Sequence, residues 1–389
     1  LPPLAEQFEA EVVIVGGGPV GCALALGLAA GPRSVLLLDA ASAPHADDRR
    51  TLALAYGSRL ILERLRVWNE IEPRTDIRTI HVSQRGGFGS LMLTAAEART
   101  PALGYVVSYS LLQRALHRAV SAFEHLNVRS GARVTRVDAA GDALQISYED
   151  QHGVHDIRAP IAVVADGGAL AEKICRVEVQ DYNQSAIVCN VSTSKPHQHI
   201  AYERFTPEGP LALLPHGDDY AVVWTLSSQR SLELCCAERD EFLEQLQTTF
   251  GMRAGKFLSV RDRASFALAL RTTLDTSIGG VIPIGNAAQS LHPVAGQGFN
   301  LGLRDAWELA RLLSSAARDA DTRALAQRYE RARARDRRIS IALTDAMVRT
   351  FSNRNPALQW MRGCGLTLLD CMTPAKHQFM QQMMFGAGW

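Results

Sequence analysis

The chain has 389 residues, 47% of them hydrophobic, which allows a large core and more than one domain. Its 41 basic and 40 acidic residues leave a formal net charge of +1, so no global field favours nucleic acid as a partner. Seven scattered cysteines without CxxC or Cys/His zinc spacing predict a reduced, cytoplasmic chain without a metal site; no run of about 18 apolar residues predicts a membrane span, and no signal peptide is read before the first strand.

The first readable unit is EVVIVGGGPVGCALALGLAA. Glu11 to Val15 predicts a short buried strand, Gly16, Gly18 and Gly21 fit GxGxxG, and Val20 to Ala30 predicts a small-residue helix packed on that strand. A second strand, Ser34 to Leu38, ends in Asp39, an acidic residue about 20 positions past the glycines, where a ribose hydroxyl is held. Strand, glycines, helix and acidic residue together read as an adenine-dinucleotide unit.

Beyond the loop Ser42 to Arg50, a helix is predicted over Ser58 to Trp68, strands over Ile77 to Leu93 around Arg85-Gly86-Gly87, and a helix over Leu111 to Phe123. Ile161 to Val164 reads as a buried strand ending in Ala165-Asp166-Gly167-Gly168, a glycine turn at the end of a strand where open α/β sheets hold ligands. Ser185 to Leu226 is strand-like and broken by Pro207, Gly209 and Pro215, and Cys236 to Phe250 predicts a helix. His197-Gln198-His199 follows Pro196 and has no obvious carboxylate nearby, so it reads as a loop rather than a metal site.

GNAAQSLHPVAGQGFNLGLRDA, Gly285 to Ala306, is the second glycine-rich segment. Gly296, Gly298 and Gly302 let the backbone approach a flat ligand closely. A helix beginning near Phe299 would turn its unpaired amides and positive dipole end toward that ligand. Two long helical regions follow, Leu301 to Ala317 and Ala324 to Phe351, then a Met-rich tail. Six arginines between Arg328 and Arg338 are interrupted by Glu330 and Asp336, which predicts a solvated or salt-bridged face rather than a headgroup-binding patch.

GxGxxG near the start, the Asp-Gly turn after a mid-chain strand, and HPVAGQGFNLGLRDA together resemble the FAD-dependent aromatic hydroxylases, the single-component flavoprotein monooxygenases. GNAAQSLHPVAGQGFNLGLRD, RFTPEGPLALLP from Arg204 to Pro215, and DYNQSAIV from Asp181 to Val188 look most similar to the ubiquinone-biosynthesis hydroxylases, and there to the octaprenyl-methoxyphenol branch. The resemblance covers nearly the whole chain. It implies an α/β fold in which a Rossmann-like FAD-binding domain (1–75, 105–175 and 276–340) is interleaved with a smaller mixed-sheet substrate domain (76–104 and 176–275) and followed by a C-terminal helical tail (341–389). It also implies FAD as the held cofactor, NAD(P)H as transient reductant, and hydroxylation of a polyprenylated phenol by dioxygen through a flavin C4a-hydroperoxide. Another flavin hydroxylase or reductase of the same fold, and a non-catalytic scaffold member of a quinone-biosynthesis assembly, are the alternatives. A membrane surface, such an assembly and a second copy of the chain are compatible partners.

Carried over residue by residue, the resemblance assigns Gly16, Gly18 and Gly21 to the pyrophosphate, Asp39 to the adenosine ribose, and Arg50, Gln113 and Asp166 to positions around the cofactor. Gly285, Asn286, Gly296, Gln297, Gly298, Phe299 and Asn300 would form the flavin cradle. The expected catalytic positions are Pro293, which with Val294 would keep water from the flavin, Gly296 beside the anionic reduced ring, and His292, which would either tune phenol deprotonation or serve as a structural hydrogen-bonding group. Arg204, Phe205, Pro210, Leu211, Leu213 and Leu214 are expected at the substrate, with ordinary sheet core as the competing reading. The chain departs from the family pattern at Leu170, Lys173, Asn286 and Gln289; lysine lacks the bidentate fork of arginine, whereas asparagine can still bond a ribityl hydroxyl. In the tail, Phe379, Met380, Met383 and Met384 have helical spacing, which suits either docking on the protein's own core or another subunit, or contact with a polyprenyl chain.

Overall fold

Four β-branched residues form β1 (Val12–Val15), buried on both faces as a central parallel strand requires. A computed structural model of the chain describes residues 9–43, 48, 50–276, 278–291, 296–318, 320–351 and 355–387. After β1, α1 (Pro19–Leu28), with proline in its first turn, crosses back to set β2 (Val35–Asp39) parallel to it. Next come β3 (Thr51–Ala55), α2 (Tyr56–Arg64), β4 (Thr75–Ile77), β5 (Thr79–Gln84), β6 (Ser90–Thr94), the one-turn α3 (Ala95–Ala98), β7 (Gly104–Ser108) and α4 (Tyr109–Ser121). The predicted helix over Ser58 to Trp68 therefore starts two residues early and stops at Arg64, where Arg66 takes a positive φ of 59°.

The middle of the chain supplies β8 (Leu126–Ser130), β9 (Arg133–Ala140), β10 (Ala143–Asp150), β11 (Gly153–Ala159), β12 (Ile161–Val164) and α5 (Ala171–Ile174). Then follow β13 (Cys175–Thr193), β14 (Ile200–Phe205), β15 (Pro210–His216), β16 (Asp219–Ser227), α6 (Ser228–Cys236), α7 (Arg239–Phe250) and β17 (Phe257–Thr276). The helix predicted over Cys236 to Phe250 thus starts three residues late, at Arg239, because α6 ends at Cys236 and Ala237 takes an extended conformation. The last third holds β18 (Val281–Pro283), β19 (Gln289–Ser290), α8 (Gln297–Ser315), α9 (Thr322–Phe351), α10 (Pro356–Cys371) and α11 (Thr373–Phe385).

These elements make an α/β fold around two main sheets. A five-stranded parallel sheet runs β18-β12-β1-β2-β8. One of its faces packs on α1, α4 and α8, and the other on the three-stranded β9–β11 meander. The mixed sheet runs β19-β17-β13-β16-β15-β14-β5-β6, with β14 and β5 the parallel pair. The chain reaches this second sheet twice, between residues 79 and 94 and between 175 and 290, so the two regions are interleaved.

C-terminal helices cover the free end of the mixed sheet. Asn355 caps α10 by accepting from Ala357 N at 3.0 Å, ahead of proline in the first turn. Lys376 on α11 pins the arrangement, with Nζ 2.7 Å from Glu97 on α3 and 3.1 Å from Asp370 on α10. Among the described residues no helix is long and apolar enough to cross a membrane. His197-Gln198-His199 forms the turn between β13 and β14 with positive φ at Gln198 and His199. The expectation that no carboxylate lies near it is corrected: Asp76 Oδ1 is 2.5 Å from His199 Nδ1.

Candidate active site

A cavity of about 1210 Å³ runs from the glycine loop after β1, past the start of α8, to one face of the mixed sheet. The three glycines of GxGxxG do different work. Gly16 has φ 108°, and a Cβ there would lie 2.6 Å from Ala165 O; a Cβ at Gly21 would collide with the Gly16 carbonyl oxygen. Gly18 alone meets nothing within 4 Å, because its backbone opens onto the cavity. Turn, close packing and ligand approach are thus divided among three positions.

Asp39 ends β2 and accepts from Ala41 N at 3.2 Å, and its carboxylate lies so close to Gly17 that a Cβ there would collide with it. His117 on α4 sits beside both, with Nε2 2.7 Å from Gly17 O and 3.9 Å from Asp39 Oδ2. Gln113, also on α4, is buried on the cavity wall, and its Oε1 has no hydrogen-bond partner among the described residues. Arg50 lines the cavity, pairs with Asp48 at 2.5 Å and stacks over the Tyr109 ring at 4.7 Å. Asp166 accepts from Gly168 N at 3.0 Å and Leu170 N at 2.6 Å, which shapes the turn after β12 beside the same space.

At the other side of this space α8 begins two residues earlier than predicted. Gly296 precedes it in the left-handed region at φ 61°, no side chain caps it, and Gln297, Gly298 and Phe299 line the cavity. Their amides lie in the first turn, where no helical carbonyl is available to them. A Cβ at Gly298 would meet nothing within 4 Å and its φ is not positive, so this glycine keeps space open and relieves no strain. Asn286 is exposed to the cavity. Asn300 lines the cavity too, but its side chain is committed within the protein. Its Oδ1 accepts from Ala55 N (2.8 Å) and Ser58 Oγ (2.6 Å), and its Nδ2 donates to Ala53 O (2.9 Å) and Gly296 O (2.7 Å). His292 and Pro293 lie outside the described residues.

The open glycine loops, the orphaned Gln113 acceptor, the strand-end carboxylate and the α8 N-terminus fit FAD, whose pyrophosphate, ribose hydroxyls and ring require such donors and acceptors.

Beneath the cradle lies an ionic cluster that the motifs did not reveal. Asp305, fully buried on α8, accepts from Gly285 N (3.2 Å), Gln289 Nε2 (2.7 Å) and Arg333 Nε (2.7 Å). Burial alone would raise its carboxyl, but the Arg333 and Arg337 guanidiniums outweigh it and hold Asp305 below the ordinary carboxylate range. Asp336 joins Arg304 and Arg333, each at 2.8 Å, and accepts from Ala387 N at 2.9 Å. The arginine-rich run therefore turns Arg333 and Arg337 inward and ties α8, the Gly285 turn and the C-terminus together.

At the sheet end of the cavity, strand alternation decides which residues form the wall. Phe205 and Leu214 line it, together with Ile80, Val82, Ala212 and Val223. Leu211 and Leu213 point to the opposite face and pack in the core with Phe242, Leu246 and Phe250. They could not share a face with Leu214, because successive strand residues alternate sides. Arg204 also faces away, its Nε donating to Thr249 O at 3.3 Å, and Pro210 is buried opposite Phe205 without lining the cavity. Phe379, Met380, Met383 and Met384 of α11 close the cavity from the other side, docked on the protein's own sheet and helices.

Residues 9–341 match the FAD binding domain family. The chain is 33% identical over 391 residues to ubiquinone hydroxylase UbiL of Rhodospirillum rubrum, covering 96% of this chain and 89% of that one. It is 30% identical over 390 residues to the 3-demethoxyubiquinol 3-hydroxylase of Escherichia coli, covering 95% and 96%. In fold it is similar to p-nitrophenol 4-monooxygenase PnpA from Pseudomonas putida, with a TM-score of 0.80 at 17% identity over 97% and 98% of the two chains. On these matches and this site, the chain belongs to the FAD-dependent aromatic hydroxylases of the ubiquinone-biosynthesis group.

Proposed function

We propose that the chain hydroxylates the ring of a polyprenylated phenol, with dioxygen and NAD(P)H as co-substrates, and that its step lies in the octaprenyl-methoxyphenol branch of ubiquinone biosynthesis. The observation that carries this reading is the apolar far end of the cavity, where Ile80, Val82, Phe205, Ala212, Leu214 and Val223 face α10 and α11. A small aromatic acid would be held by a bidentate arginine; Arg204 is turned to the other face of the sheet, and Arg362, which lines the cavity from α10, donates to Thr350 O at 2.8 Å.

In this reading Gly18 gives its backbone to the pyrophosphate, Asp39 takes the adenosine ribose, Gln113 and Asn286 bond the ribityl side, and the amides of Gln297 to Phe299 face the flavin ring. Bound there, FAD takes electrons from the nicotinamide and activates dioxygen for transfer to the phenol. The positive end of α8 favours negative charge on the ring beside it, and the apolar sheet wall excludes water from the transfer. Leu358 and Met361 line the cavity and are also exposed, so the wall at α10 is protein surface. With Trp360 64% and Leu368 60% exposed on the same helix, this face supports uptake of the prenyl chain from a bilayer.

Steady-state assays with a prenyl-length series and with 4-hydroxybenzoate test the proposal. Each buried methylene contributes roughly 0.8 kcal/mol, so kcat/KM should rise steeply with chain length. Coupled turnover of the unprenylated acid with no gain from chain length would contradict it.

A further inference from the structure

The row of side chains that crosses the cavity face of the mixed sheet is apolar except at one position. In register, Leu91 pairs with Val82, Val82 with Glu203, Glu203 with Ala212, and Ala212 with Val223. All five line the cavity. Glu203 makes no hydrogen bond or ion pair with any described residue, although its neighbour Arg204 is only one position away. That arginine projects from the opposite face toward α7.

Glu203 is half-buried and open to the cavity; once a bound molecule covers it, its carboxyl needs a partner from that molecule, because an unpaired buried charge is costly. The titratable side chains on the rest of the wall include Arg362 of α10 and, around the nucleotide loops, Asp39, Arg50, Asp166 and Lys173. None is bonded to Glu203. His81, on the adjacent strand, lies with Tyr202 on the other face.

We propose that Glu203 is the catalytic acid–base residue of the substrate cavity, its carboxylate accepting the hydroxyl hydrogen of the bound phenol. The inference rests on the phenol reading above. Desolvation pushes this carboxyl up to about 7, a value at which a general base is both available and strong enough to act near neutrality.

The proton balance is closed. As ring electrons form the new C–O bond, the phenol O–H breaks and a Glu203 O–H forms; the attacked carbon then releases its hydrogen as a proton while Glu203 returns a proton to the ring oxygen. One oxygen of dioxygen enters the ring and the other leaves as water, a hydride from the nicotinamide and one proton from solvent supplying the two electrons and two hydrogens. Glu203 is neither oxidised nor reduced.

The test uses the FAD-loaded full chain, 4-nonylphenol and its methyl ether, and the variants E203Q and E203D. Affinity for both probes is read from the flavin absorbance change between about pH 5.5 and about pH 8.5. An ionised carboxylate distinguishes a hydroxyl donor from an ether, so the parent should bind the phenol roughly tenfold tighter than the ether above neutrality. The preference should fade as pH drops through about 7, be absent at every pH in E203Q, and return in part in E203D. Turnover of the phenol should fall on the order of 10²-fold in E203Q with FAD retained.

A phenol-to-ether ratio that is independent of pH, or unchanged in E203Q, would overturn the assignment, as would failure of the parent to bind either probe. A phenol that binds with the Glu203 signature yet is never hydroxylated supports the assignment and counts instead against the phenol-hydroxylase reading.

Discussion

Glu203 also makes a prediction about stability. Its folded-state pKa is raised above the ordinary value of 4.5 to about 7, so the stability linked to its neutral form is complete below the unfolded value and is lost as pH rises through the folded one. E203Q should therefore melt at a higher temperature than the parent at about pH 8, by roughly 2–4 °C, and show no gain near pH 4.5; melting curves at the two pH values check this. Gly18→Val should leave a folded protein that no longer holds FAD, since a Cβ there enters open cavity with no protein atom within 4 Å. Release of stoichiometric FAD from heat-denatured Gly18→Val would contradict the placement of the pyrophosphate. The glycine positions were legible because their backbone requirements leave a fixed spacing in the sequence. Glu203 was not, because one carboxylate between Tyr202 and Arg204 carries no pattern until register shows what stands on either side.

At the level of elements, the cradle depends on the cluster that joins α8 to α9. Asp305→Asn would leave Arg333 and Arg337 short of a buried counter-charge, a change that typically costs about 3–5 kcal/mol. Denaturant unfolding of the apoprotein should show that loss, and FAD affinity should fall with it because the Gly285 turn hangs on the same carboxylate. Asp305 is held below the ordinary carboxylate range, so its contribution is present above the unfolded pKa of about 3.9 and disappears as pH falls toward the lower folded value. An unfolding free energy that is the same for parent and variant at pH 7 would contradict this. The arginine run announced salt bridging, but only the packing of α9 on α8 shows that Arg333 and Arg337, four residues apart, turn inward. The wall on β15 was misread in a similar way: three leucines in RFTPEGPLALLP look like one apolar surface, and strand alternation sends Leu211 and Leu213 to the core and Leu214 to the cavity.

For the whole molecule, the interleaving of a parallel sheet with a mixed sheet was legible from the order of motifs, whereas the closing of the cavity by α10 and α11 depends on contacts more than 270 residues apart, such as Lys376 with Glu97. No local sequence pattern encodes such contacts. The exposed α10 face makes a prediction at this scale: Trp360→Glu should weaken co-flotation with phospholipid vesicles and raise KM for a long prenyl phenol presented in them, while leaving turnover of a short-chain phenol in solution unchanged. Equal vesicle binding by parent and variant would remove α10 from the uptake route. The central claim, that this cavity brings a hydrophobic phenol to FAD for oxygen insertion, is tested most directly by mass spectrometry of products formed under isotopically labelled dioxygen with NAD(P)H and a prenylated phenol. The account predicts one labelled oxygen atom in the ring of the product, with the yield per nicotinamide consumed rising with prenyl length. Nicotinamide oxidation that leaves every prenylated phenol unlabelled would contradict it.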